Sequence, residues 1–191
     1  MIMRLYILFC VLFSAVLFSP LADAGQVKFG PLCSGNPSNS KRGCDKKYGC
    51  GKYGASRPKV KCLDMPCLNV QCTIRFDSYC GGEDFQDNGK RKHMGLDIVC
   101  ADGATVYAPF DVKLNGKAAP YKKDNAINDG ISLSGEGLCF KLFYIKPDRY
   151  SGTLKKGQKI GTLLPMQKVY PGITSHVHVQ MCDKSDPTKY F

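Results

Sequence analysis

Beyond residue 92 the chain reads as short runs of alternating apolar and polar residues, separated by turn-forming ones. "ISLSGEGLCFKLFYI" (131–145) holds two such runs around Gly135-Glu136-Gly137. Side chains alternate along a strand, so Ile131 and Leu133 share one face, while Leu138, Phe140, Leu142 and Tyr144 share another. "TVYAPFDVKLNGKAA" (105–119) carries β-formers ahead of Asn115-Gly116, a pair that predicts a tight hairpin turn. "KKGQKIGTLLP" (155–165) and "HVHVQMC" (176–182) continue the series. No stretch sustains a long amphipathic helical period. The expectation is a mostly β, antiparallel domain.

The start of the chain has a different character. Arg4 precedes an apolar run that ends at Phe18, before Ser19 and Pro20, and "ADA" at 22–24 fits a small-x-small cleavage site. Residues 1–24 therefore read as a signal peptide rather than a membrane anchor, with Gly25 opening the mature chain. No other stretch is long and apolar enough to cross a membrane, so membrane insertion is not expected. The remainder is one domain's worth of chain, enough for a real core. Within it, 25–57 is rich in Gly, Ser, Asn and Lys with three cysteines. Residues 58–92 add Cys62, Cys67, Cys72 and Cys80 before the acidic "GGEDFQDNG", and 93–191 carries the strand pattern.

Of eleven cysteines, Cys10 falls in the signal segment and ten remain. An even number in an exported chain points to disulfides. The formal net charge is +11, spread over short basic runs such as "KRK" at 90–92. For an exported protein this favours anionic cell surfaces or sulfated glycans over nucleic acid as partners, with a solvated, soluble surface as the alternative.

The chain has only three histidines, His93, His176 and His178. In "HVHVQM" the alternation puts His176, His178 and Gln180 on one face and Val177, Val179 and Met181 on the other. Two imidazoles stand side by side while the apolar face enters the core. In "HMGLD", Gly95 permits a turn that brings His93 back over the strand carrying Asp97. Two imidazoles and a carboxylate suit zinc in a tetrahedral site with an open fourth position. Each motif alone is weak, since a lone His-x-His is usually an exposed strand.

"HMGLDIVCADGATVYAPFDVKLNG" resembles the first signature of the lysostaphin- and LytM-type zinc peptidases, and "LKKGQKIGTLL" and "SHVHVQ" are similar to later ones. The resemblance implies Zn2+ held by His93, Asp97 and His178, with His176 at the substrate-facing position of the H-x-H pair. Where those peptidases carry a further histidine in a Y-x-H-L pattern, this chain has Tyr144-Ile145-Lys146-Pro147. Zinc can still be held, but the acid–base set is short of a histidine, so no catalytic residue is assigned. "ATVYAPF", "DNAINDG", "FYIKP" and "IGTLLPMQKVYPGITSHVHVQMCDKSDPT" resemble a chemotaxin-type branch of this fold. That likeness implies a secreted, non-catalytic signalling protein that attracts leukocytes through a cell-surface receptor. It also implies the pairs Cys33–Cys100, Cys44–Cys50 and Cys139–Cys182. Cys62, Cys67, Cys72 and Cys80 would then pair among themselves in an inserted loop, or form a second metal site. Translated non-coding sequence is the remaining account of 58–92.

Overall fold

A computed structural model of the chain describes residues 26–56, 92–122 and 124–191. The signal segment and Cys62, Cys67, Cys72 and Cys80 lie outside the described residues.

The described residues form a mostly antiparallel β structure. Strands β1 (Cys44–Asp45) and β2 (Gly49–Cys50) make a small ladder. Six strands form the main sheet: β3 (Leu96–Val99), β5 (Val112–Lys117), β6 (Gly130–Gly135), β7 (Leu138–Phe143), β9 (Ser151–Leu154) and β11 (His176–Met181). Their spatial order is β3-β11-β7-β6-β5-β9. Three more, β4 (Thr105–Tyr107), β8 (Ile145–Pro147) and β10 (Lys159–Leu163), form a second sheet in the order β4-β10-β8. Among the described residues, helical structure is limited to α1 (Met166–Val169) and a 3-10 turn at Pro187–Tyr190.

Alternation builds the core. Ile131, Leu133, Phe140, Leu142, Val177 and Val179 of the main sheet are fully buried and pack in one cluster with Val106, Ile145 and Ile160 of the second sheet. The Ile131–Leu133 and Phe140–Leu142 runs are joined by a two-residue turn, because Gly135 pairs with Leu138. Glu136 (φ 49°) and Gly137 (φ 73°) both adopt left-handed backbone, the geometry that matches the twist of the flanking strands.

Two expectations are corrected. Asn115-Gly116 is no hairpin turn: β5 runs through it, pairing with β9 on one side and β6 on the other. The β6 register slips between Leu114 and Lys117, and Gly116 at φ 109° accommodates a bulge rather than a reversal. Tyr144 does not extend the alternation of β7. It sits at φ 69° between β7 and β8, an unusual conformation for a bulky residue. Its ring turns from the Phe140–Leu142 side toward His176 and His178.

Disulfides join Cys33 to Cys100, Cys44 to Cys50 and Cys139 to Cys182. The last ties β7 to the end of the histidine strand, next to the Phe140–Met181 pair.

Candidate metal centre

Strand β11 buries Val177 and Val179 and presents His176 and His178 on its other face. Antiparallel pairing with β3 sets His178 directly opposite Asp97, close enough for side chains on the same face to touch. His93 reaches the same point from the segment before β3. That path requires Gly95, because a Cβ there would collide with the His178 imidazole and the Val179 carbonyl. The outer edge of β3 is covered by the N-terminal segment: Arg42 N donates to the Asp97 carbonyl and Asp97 N donates to the Gly51 carbonyl, each over 2.9 Å.

The three predicted ligands form a tight triangle. His93 Nε2 lies 2.9 Å from His178 Nδ1 and 3.0 Å from Asp97 Oδ1, and His178 Nδ1 lies 2.9 Å from Asp97 Oδ1. His93, Asp97 and His178 are all buried, at 2, 2 and 4% exposure. His93 Nδ1 stands 2.9 Å from the Lys52 carbonyl, which can only accept, so in a neutral ring this nitrogen carries the proton and Nε2 is a bare lone pair. His178 Nδ1 then brings at most one proton to a triangle with three edges. Lone pairs of His93 Nε2 and Asp97 Oδ1 face each other between buried side chains, an arrangement that costs free energy unless a cation satisfies them. In a tetrahedral site with bonds of about 2.0–2.1 Å, ligand atoms stand about 3.3 Å apart. A small outward relaxation of these atoms accommodates such an ion. The residues therefore fit a metal.

The other carboxylate oxygen is held separately. Arg42 Nε donates to Asp97 Oδ2 over 3.0 Å, and its Nη1 donates to the Gly49 carbonyl and to Asp45. Arg42 is itself buried. Burial opposes ionisation of Asp97, but the coulombic influence of His176 and the hydrogen bond from His178 outweigh it, holding the carboxyl well below its usual range. His176 Nε2 lies 3.4 Å from Asp97 Oδ2, while its Nδ1 donates to the Thr174 carbonyl. Burial pushes His176 down to about 4, against the pull of Asp97, so it is a neutral imidazole near pH 7.

Aromatic side chains wall the site. Phe143 stacks on His178 at 5.7 Å, and Tyr144 meets His176 edge-on at 5.6 Å. The Tyr121 hydroxyl lies 3.2 Å from both the Tyr144 and Tyr170 hydroxyls. Tyr170 in turn packs against Tyr48. Lys146 is directed elsewhere: its ammonium lies 3.4 Å from Asp129, whose carboxylate also accepts from the Tyr150 hydroxyl.

The structure thus brings His93, Asp97 and His178 together with His176 beside them, and keeps Lys146 out. The sequence reading missed Arg42, the Lys52 and Thr174 carbonyls and the tyrosine wall. Arg42 stands 55 residues from its partner in a chain rich in basic residues, and backbone acceptors leave no mark in residue identity.

No family model matches this chain. Leukocyte cell-derived chemotaxin-2 of Mus musculus is 47% identical over 180 residues, covering 94% of this chain and 96% of its own. The Bos taurus protein of the same name is 46% identical over 176 residues, covering 92% and 93%. Myeloid protein 1 of Gallus gallus is 47% identical over 171 residues, 89% of this chain but 43% of its own length. Among solved structures, Helicobacter pylori Csd3 is similar over 86% of this chain and 35% of its own, at TM-score 0.47 and 13% identity. A putative peptidase M23 from Pseudomonas aeruginosa is similar over 51% and 42%, at TM-score 0.40 and 17% identity. On the near-complete coverage by the mouse and cattle sequences, the chain belongs to the leukocyte cell-derived chemotaxin-2 family.

Proposed function

We propose that this is a secreted signalling protein that binds one zinc ion through His93, Asp97 and His178, for structure rather than catalysis, and attracts leukocytes such as neutrophils through a cell-surface receptor. The family name carries the signalling part, and the disulfides suit an extracellular setting. Two nitrogen donors and a carboxylate are a ligand set of the kind zinc takes. When bound, zinc supplies folding free energy through its ligands and acts as a Lewis acid.

The observation that carries the non-catalytic half is the shortage of acid–base groups beside the triangle among the described residues. His176 commits one nitrogen to Thr174 and Lys146 is ion-paired with Asp129. Tyr121 is a poor proton donor at neutral pH because burial raises its phenol well above its ordinary range. General acid–base catalysis is worth about 10²–10⁴-fold, so the missing histidine removes most of a peptidase's rate while leaving the ligands in place.

The test is metal analysis of the mature protein beside hydrolysis assays of wild type and Lys146→His on oligoglycine and cell-wall peptides. One equivalent of zinc with no turnover by the wild type is expected. Robust zinc-dependent turnover by the unaltered chain would sink this reading in favour of an active metallopeptidase.

A further inference from the structure

The main sheet has one face in the core and the other in solvent. Away from the buried metal corner, its solvent face is made mainly of neutral hydrogen-bonding side chains, with two lysines among them. The pairings place Thr153 beside Lys113, Lys113 beside Ser134 and Ser134 beside Cys139 in one row. A second row runs Ser132, Lys141 and Gln180, with Ser151 beside Asn115 toward the β9 edge. Asn115 Nδ2 donates to Ser134 Oγ, fixing the amide on this surface.

Lys113 and Lys141 are the charged side chains of these two rows, while Lys117, exposed at the end of β5, approaches Asp129. Lys113 is exposed and Lys141 half-exposed. Neither ammonium has an ion-pair or hydrogen-bond partner among the described residues. Four other lysines are partnered: Lys155 pairs with Asp111, Lys159 with Asp148, and Lys117 and Lys146 both approach Asp129. Acidic groups stay outside the two rows, with Glu136 in the β6–β7 turn and Asp129 ahead of β6. Two strand spacings and two residues of rise separate the lysines by roughly 12 Å. A pair of unneutralised cations on a floor of hydroxyls and amides is complementary to a linear polymer of hydroxyl-rich units with periodic anionic groups.

We propose that this face binds a sulfated glycan chain, with Lys113 and Lys141 contacting sulfates and Ser132, Ser134, Asn115 and Thr153 hydrogen-bonding the sugar hydroxyls. The site needs neither bound zinc nor a receptor, so it stands apart from the signalling reading. A polyanion bound through two lysines releases about two sets of condensed counterions, which makes the affinity salt-dependent.

The test titrates a heparin dodecasaccharide into the full-length mature protein across a salt series. Lys113→Ser/Lys141→Ser is compared with Lys46→Ser/Lys156→Ser, which removes the same charge from two turns elsewhere. Zinc content and thermal melting of both variants should match the wild type, because all four side chains face solvent. The sheet variant should bind about tenfold or more weakly, with the slope of log Kd against log salt reduced by about two, while the turn variant stays near wild type. Equal weakening in both variants would mean diffuse charge attraction and overturn the site, as would no binding at all. The same selective loss toward phosphatidylserine vesicles, with a desulfated oligosaccharide binding as well as the sulfated one, would also overturn the assignment to sulfated glycans.

Discussion

Arg42 holds Asp97 from behind: its Nε donates to Asp97 Oδ2 over 3.0 Å, while Oδ1 of the same carboxylate faces the two imidazoles. One oxygen is anchored and the other is left to bind. Outer partners of this kind typically matter about 10–100-fold in metal affinity. Arg42→Met should weaken zinc binding by about that factor in competition titrations against a chelator. Asp45→Asn, which cuts only the outer Arg42–Asp45 pair, should leave the affinity unchanged. Wild-type affinity in Arg42→Met would remove the guanidinium from this role.

The two histidines of β11 should separate cleanly. His178 is in the triangle and His176 is beside it. His178→Ala should lose the ion, measured by atomic emission, and the rise in Tm on adding zinc should vanish, since only binding to the folded state adds stability. His176→Ala should keep both. Full zinc occupancy in His178→Ala would overturn the ligand set.

Burial of His176 makes the metal-free fold acid-sensitive. Its folded value lies near 4, against 6.5 when exposed. Above pH 6.5 neither state holds the proton. As pH falls, the unfolded chain takes it up while the folded chain does not, so stability drops through the window from 6.5 to about 4. In chelator-treated protein, His176→Asn should show a smaller fall in Tm across this window than wild type. An identical fall in both proteins would show that another group sets the acid limit.

Residues 54–56 meet 92–93 in a short ladder: Gly54 N donates to the His93 carbonyl, His93 N donates to the Ala55 carbonyl, and Ser56 bridges Lys92. Ser56 and Lys92, the described residues that flank 57–91, are thus side by side. Replacing 57–91 by Asn-Gly, a pair that closes hairpins, should give a protein that folds and binds zinc like the parent. Failure to fold, or loss of zinc from a folded product, would show that the segment contributes to the domain rather than interrupting it.

Much of the design was legible in residue order because strand alternation is a local property. Val177 and Val179 against His176 and His178, or the Gly135-Glu136-Gly137 reversal, depend on a few neighbouring residues and on backbone sterics. Asn115-Gly116 shows the limit of local reading. The same dipeptide that closes a hairpin can sit in a bulge, and the choice fell to the partners on either side, β9 and β6. Tyr144 shows it again: alternation assigns the ring to the core, yet a left-handed backbone turn sends it to the histidines. Composition narrows the imidazole ligands to His93, His176 and His178, since the chain has three histidines. Tertiary structure alone decided their approach to about hydrogen-bond distance, the anchoring of Asp97 by a residue 55 positions away, and the diversion of Lys146 to Asp129. These are contacts between distant segments, set by strand register and by which backbone carbonyls happen to lie within reach, and neither is written in the pattern of any single segment.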